Sequence, residues 1–221
     1  IKALYDAEIA YTDRMVGELF DTLDSSHDEQ TVFAVTADHG EMLGERDIPG
    51  HLIDVHESLV HVPLVVHAFD EIESQTESIV QHGDLMQTLL AVAGADTTQF
   101  DSIDLRDEKR EFAISQEYFN DYSNLLQKNP DFDTNKYRTG LSTGIRTADF
   151  KLIESGDKTV LYELPDENND VSRTDPETVD RLVEELSRWF TAHGGAVTDT
   201  EYEDDYSKKT KKRLEDLGYL T

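Results

Sequence analysis

The sequence contains no cysteine, which excludes disulfide bonds, thiolate metal sites and a cysteine nucleophile within its 221 residues. Basic side chains are scarce, since 20 Lys and Arg stand against 48 Asp and Glu and give a net charge of −28. Such a charge repels phosphate groups, so we expect neither nucleic acid nor an anionic membrane as a partner. No apolar run approaches the roughly 20 residues of a membrane span, and we expect no membrane insertion.

The acidic side chains are spread along the whole chain instead of forming one block. At molar salt the Debye length falls to about 3 Å, which screens their mutual repulsion. The composition therefore predicts a halophilic protein in a high-salt compartment. The cytoplasm is favoured, although the sequence is silent on export. The alternative is an acidic mesophilic protein with a disordered tail.

Hydrophobic residues make up 37% of the chain, enough for a folded core. Apolar residues recur at helical spacing over 1–24, and two short apolar runs at 31–38 and 62–68 are typical of buried strands. A further helix is expected over 82–93, ended by Gly94. Because helices and strands alternate, residues 1–110 are predicted to form an α/β domain with a mixed sheet, its first helix lying on the sheet.

A different pattern begins near residue 111, where four short strands are predicted to form an antiparallel meander. They cover 111–119, 141–147, 150–155 and 159–164. Asp175 is then expected to cap a helix with Pro176 in its first position, ended by Gly194 and Gly195. The buried stripe of that helix is predicted to be Val179, Leu182, Val183, Leu186, Trp189 and Phe190. Residues 111–221 are thus predicted to form a small α+β subdomain, with charge blocks at 199–205 and 208–213.

Asp38 and His39 fall where the strand predicted over 31–38 gives way to a glycine-rich loop. Ligands bind at the carboxyl ends of such strands. Neighbouring strand side chains point to opposite faces, so the two can reach one metal ion only if the backbone turns, which Gly40 permits. Alternatively, Asp38 is a loop or helix cap and His39 a surface residue.

Several segments resemble the sulfatases of the alkaline phosphatase superfamily. The string TADHGEMLGE at 36–45, followed by Gly50-His51 and SLVHVPLVV at 58–66, is similar to the second signature region of that family. The resemblance continues in order through the chain, which makes it more specific than one motif. Its other segments are 5–19, 84–94, 145–164 and RLEDLGYL at 213–220.

The resemblance implies roles for three residues. Asp38 and His39 would bind a divalent ion, usually Ca²⁺, which polarises the sulfate ester, and His51 lies at the position that contacts the sulfate. The family most often has lysine at that position, so a titrating group replaces a constant charge. The substrate would be a sulfate ester of a small molecule or saccharide. Glu41 and Glu45 are not assigned, because carboxylates near any point are expected in so acidic a chain.

The nucleophile of the family, Cys or Ser in Cys/Ser-x-Pro-x-Arg, has no match here. The residues two positions before the five prolines are Asp47, His61, Lys128, Glu163 and Thr174. The paired amino-terminal aspartates of the family are absent too. We therefore expect the carboxyl-terminal half of a longer hydrolase, inactive alone, whose missing amino-terminal half is its partner. Apolar surface without that half predicts self-association.

Two other functions stay open from the sequence. The first keeps the superfamily but changes the substrate to a phosphate ester or a phosphonate. The second is a non-catalytic binding or structural module that retains the fold.

Overall fold

The computed structural model describes residues 1–25, 31–47, 49–51, 54–67, 78–119, 122–134, 137, 140–156 and 158–194. Within these ranges the chain forms five α-helices and eight β-strands arranged in three sheets. The predicted charge blocks and the segment 213–220 lie outside the described residues. Among the described helices, none is both long and apolar enough to cross a membrane.

Helix α1, Lys2–Ser25, contacts the first sheet through Phe20, near its carboxyl end. The centroid of the Phe20 ring lies 5.3 Å from that of Phe33 and 5.0 Å from that of His67. A helix of this length is about 36 Å long, whereas a four-residue strand extends about 13 Å. The predicted packing of α1 on a sheet is therefore confirmed for its last turns, while the apolar side chains of Ile9 and Leu19 are exposed.

The first sheet consists of β1, Phe33–Thr36, and β4, Leu64–His67, which pair antiparallel. Half-buried and exposed residues alternate along both strands, and Val65 is 60% exposed. Both predicted strands are present, but the prediction that they are buried is wrong. Within the described ranges no further strand pairs with β1 or β4. Among the described residues, each strand is thus paired along one edge only.

The predicted antiparallel meander is confirmed. It comprises β5 (Ala113–Phe119), β6 (Gly140–Arg146), β7 (Phe150–Ser155) and β8 (Lys158–Glu163), hydrogen-bonded in chain order. Helix α5, Pro176–His193, packs on this sheet and places its predicted apolar stripe against it. The buried core they share consists of Ile114, Ile145, Leu152, Leu161, Leu182 and Leu186.

The ends of α5 follow the sequence prediction. The Thr178 N–H donates to Asp175 Oδ1 over 3.1 Å, which satisfies one of the free N–H groups of the first turn. Pro176 occupies the first turn, and Gly194 ends the helix with φ of 91°, a conformation that favours glycine.

Helix α3, His82–Val92, is tied to the residues before β5 through a buried carboxylate. Asp84 is fully buried and forms a bidentate ion pair with Arg110. Gln81 Nε2 adds a bond to the Ile114 carbonyl oxygen over 2.9 Å. The expected helix to Ala93 is confirmed, whereas the domain boundary between residues 110 and 111 stays a prediction.

Three short elements complete the region between β1 and β4. Strands β2 (Met42–Leu43) and β3 (Pro49–Gly50) pair antiparallel, and α2 covers Glu57–Val60. A further short helix, α4 (Ser123–Lys128), was not predicted from the sequence. Taken together, the helices, the first sheet and the separate antiparallel sheet confirm the predicted α/β fold class.

Candidate active site

The loop after β1 carries both residues that the sequence proposes as metal ligands, Asp38 and His39. The Gly40 N–H donates to the Leu59 carbonyl oxygen over 2.8 Å, so the loop runs directly against α2. A Cβ atom at Gly40 would overlap the Ser58 carbonyl oxygen. Glycine is therefore required by close approach of the two backbones.

Asp38, His39 and His51 line one cavity of about 230 Å³. Strand β5 supplies part of the lining, so the small antiparallel sheet contributes to the same site. The polar lining includes Asp38, His39, His51, Asp54, Gln116 and Glu117. The structure thus brings all three sequence-proposed site residues together.

Glu41, which the sequence analysis left unassigned, lies within the site. The β2–β3 register pairs Met42 with Gly50, and one step outward along it places Glu41 opposite His51. Residues opposite each other in an antiparallel pair are close enough for their side chains to interact. His51 Nδ1 accordingly lies 3.0 Å from Glu41 Oε2.

The two site imidazoles lie beside each other, with ring centroids 4.4 Å apart. His39 Nδ1 is 2.8 Å from the Gly40 carbonyl oxygen, which only accepts hydrogen bonds. In the neutral imidazole Nδ1 therefore carries the proton, and Nε2 keeps its lone pair. One potential ligand atom from each of His39, Glu41 and His51 falls within 4.8 Å of the other two.

Asp38 is the most open of the site carboxylates, with its side chain 79% exposed. Its Oδ1 accepts the His39 N–H over 2.9 Å. That hydrogen bond, together with the nearby His39 imidazole, holds the pKa of Asp38 below its ordinary value. The carboxylate therefore remains ionised at neutral pH.

Glu117, on β5, is a further acidic group in the lining of the cavity. Burial, and then the Asp54 carboxylate, raise the pKa of Glu117 above its ordinary value. Asp54 itself is paired with Arg46, whose guanidinium Nε lies 3.1 Å from Asp54 Oδ2. The cavity therefore combines imidazoles and carboxylates, and the described part of its lining includes no arginine or lysine.

A buried ion-pair network joins α2 to the small sheet. Lys151 is 1% exposed, and its Nζ lies 2.9 Å from Glu57 Oε1 and 3.0 Å from Glu167 Oε1. Arg146 Nε adds a contact of 3.2 Å to Glu57 Oε2. Burial raises the pKa of Glu57, but the ion pairs with Lys151 and Arg146 outweigh it, so that the pKa is lowered overall.

Glu167 extends this network to the backbone at the start of α2. Its Oε2 accepts the Glu57 N–H over 2.7 Å and lies 3.2 Å from His56 Nε2. Arg46, in the loop between β2 and β3, contacts the Tyr162 hydroxyl over 3.2 Å. Arg46 and Glu57, which come before and after His51 in the chain, therefore both contact residues of the small sheet.

Part of the chain matches known proteins in sequence. A sequence model of the sulfatase family matches residues 1–95, which include Asp38, His39 and His51. The uncharacterized sulfatase YidJ of Escherichia coli (strain K12) is 28% identical over 90 residues. That alignment covers 41% of this chain and 18% of YidJ, so the chain spans less than a fifth of this relative.

Solved structures resemble a larger part of the chain. Phosphonate monoester hydrolase SpPMH from Silicibacter pomeroyi is 24% identical with a TM-score of 0.64, over 83% of this chain and 38% of that one. BT4656, solved in complex with its substrate D-glucosamine-2-N,6-O-disulfate, is 20% identical with a TM-score of 0.65, over 89% and 41%. These likenesses show that the chain shares the fold of sulfatases and phosphonate monoester hydrolases.

Proposed function

We propose that this chain is the carboxyl-terminal part of a metal-dependent, sulfatase-like hydrolase that cleaves sulfate esters. The observation that carries the proposal is that Asp38, His39 and His51 line a single cavity beyond the end of β1. Asp38 and His39 are proposed as metal ligands and His51 as a donor to the ester.

His51 suits the donor role because of its partner. Glu41 accepts from Nδ1 and thereby orients the imidazole, and in the imidazolium form both ring nitrogens carry a proton. Its Nε2 can then donate to negative charge that develops on the leaving oxygen or the transferring group. The nucleophile is proposed to come from the rest of the protein, so this chain alone is expected to be inactive.

The calcium ion that the resemblance implies would find an incomplete ligand set in Asp38 and His39. Calcium takes six to eight ligands, chiefly oxygen atoms, whereas Asp38 and His39 offer one carboxylate and one imidazole. A calcium site would need further oxygen ligands, from other side chains of the cavity lining such as Asp54 and Glu117 or from the rest of the protein.

The substrate is proposed to be a sulfated small molecule or saccharide. BT4656 was solved with a sulfated glucosamine, which supports this class. A phosphate or phosphonate ester is the second candidate, because two of the similar structures are phosphonate monoester hydrolases. A non-catalytic module that retains the fold is the remaining alternative.

The remainder of the protein is also proposed to cover the apolar surface of this chain. Leu4 and Ile9 on α1 are more than half exposed, as are Ile1, which precedes that helix, and Val65 on β4. Without that cover, self-association is expected. The charge of −28 supports a high-salt compartment, with the cytoplasm favoured.

Paired substrates test the proposed function. The full-length protein is assayed on a sulfate ester and a phosphate ester that release the same alcohol. We expect faster hydrolysis of the sulfate ester. Preference for the phosphate ester would favour the second candidate, and hydrolysis of neither would favour the non-catalytic module.

A histidine variant tests the donor role. His51→Ala is expected to lower kcat about 100-fold or more, since general acid catalysis contributes roughly that factor. His61→Ala is the matched control, because His61 ends α2 with its side chain 69% exposed and outside the cavity lining. Equal turnover in the two variants would contradict the donor role of His51.

A further inference from the structure

The cluster of His39, Glu41 and His51 is a ligand set contained within this chain. Three side chains from two sides of one loop converge so that their ligand atoms lie within 4.8 Å of one another. All three side chains are partly exposed, so an ion can reach them from solvent. Asp38 is not a member of this group.

The donor types select a class of metal. Two imidazoles and one carboxylate suit Zn²⁺ and other divalent transition metals, whereas calcium and magnesium prefer oxygen donors. Many zinc sites also have three protein ligands and leave a fourth position open for water or another group.

The spacing of the ligand atoms is close to what such an ion requires. Zinc–nitrogen bonds of about 2.0–2.1 Å in a tetrahedron place ligand atoms about 3.3 Å apart. His51 Nδ1 and Glu41 Oε2 already lie 3.0 Å apart. The ligand atoms of the cluster are at most 4.8 Å apart, so binding requires side-chain movements of no more than about 1.5 Å.

One imidazole is also oriented as metal ligands usually are. A ligating histidine commonly donates its other N–H to a carbonyl or carboxylate, which fixes the ring and the tautomer. His39 Nδ1 makes this contact with the Gly40 carbonyl oxygen and leaves Nε2 free to bind.

We propose that His39, Glu41 and His51 bind one divalent transition metal ion, such as Zn²⁺, without any residue from outside this chain. Binding does not depend on the proposed function. A consequence does rest on it: an ion at this cluster takes the imidazole of His51 out of its donor role. Zinc at concentrations above its Kd therefore inhibits ester hydrolysis by the full-length protein.

Calorimetric titration of this chain with zinc chloride tests the binding, at molar potassium chloride to screen the acidic surface. We expect one equivalent to bind. Glu41→Gln and His51→Gln each weaken binding at least tenfold, because each removes one of three ligands. His61→Gln binds as the wild type does. Millimolar calcium does not compete.

Histidine resonances in NMR spectra give an independent readout. Zinc is expected to shift the imidazole signals of His39 and His51 and to leave that of His61 in place. Unchanged zinc affinity in both Glu41→Gln and His51→Gln, or equal competition by calcium, would overturn the proposal. Matching far-UV circular dichroism spectra of the metal-free variants show that the fold is retained.

An aspartate variant separates this inference from the proposed function. Asp38→Ala is expected to keep zinc binding, because Asp38 lies outside the cluster, although it should lose ester hydrolysis. If zinc fails to bind the wild type while hydrolysis still depends on Asp38, the cluster proposal is wrong and the proposed function stands. If zinc binds specifically but the full-length protein hydrolyses no ester, the cluster proposal stands and the proposed function is wrong.

Discussion

Replacing Lys151 by methionine removes the only cation that contacts both Glu57 and Glu167 among the described ion pairs. Methionine keeps most of the apolar stem, so the change deletes the charge with little loss of volume. Glu57 retains Arg146 as a cationic partner, whereas Glu167, 2% exposed at its side chain, keeps the N–H of Glu57 and the His56 ring. The variant therefore leaves a buried carboxylate without its main counter-charge.

Removing one partner of a buried ion pair costs about 3–5 kcal/mol, because the remaining charge stays desolvated. That loss is a large fraction of the 5–15 kcal/mol typical of the free energy of unfolding of a domain. With a urea dependence of about 2 kcal/mol per molar, the unfolding midpoint should fall by about 1.5–2.5 M.

Urea unfolding of wild type and variant in the same salt measures this loss. Lys158→Met is the matched control, since Lys158 is exposed at the start of β8, and its effect should stay within about 0.5 kcal/mol. Adding Glu167→Gln to Lys151→Met should recover part of the loss by removing the unpaired charge. A loss below about 1 kcal/mol for Lys151→Met, or one equal to that of the control, would refute the reasoning.

Three further predictions concern charge and close packing. The thermal unfolding midpoint should rise between roughly 0.1 and 3 M potassium chloride as repulsion is screened, and a constant midpoint would contradict the halophilic interpretation. The pKa of Glu57 is lowered on folding, so its stabilising contribution should be complete above its ordinary value of 4.5 and be lost as pH falls through the lowered pKa; unfolding at stepped pH measures this. Gly40→Ala should cost about 1–3 kcal/mol in urea unfolding, because its Cβ would overlap the Ser58 carbonyl, whereas Gly17→Ala, in open space on α1, should stabilise by up to about 1 kcal/mol. Equal effects of the two alanines would contradict that contact.

Local patterns were sufficient to predict the small sheet and α5. The stripe from Val179 to Phe190 follows helical spacing, and the Asp175 cap and Gly194 mark its ends. Burial of β1 and β4 was predicted wrongly, because an apolar run indicates a strand but not how much of the molecule covers it.

The candidate site was only partly visible in the sequence. Asp38, His39 and His51 were found by resemblance, whereas Glu41 was lost among many acidic residues. Its position depends on the pairing of β2 with β3, and strands of two residues give no periodic signal. The buried Lys151 was equally hidden, since its partner Glu57 lies 94 positions away in the chain.

The most direct test of the hydrolase account is to measure metal content and sulfate-ester turnover together in full-length Asp38→Ala. Asp13→Ala, which changes an exposed aspartate on α1, is the control. The account predicts that Asp38→Ala loses most of its turnover and the metal needed for hydrolysis, while Asp13→Ala keeps both. Wild-type metal content and wild-type turnover in Asp38→Ala would contradict it.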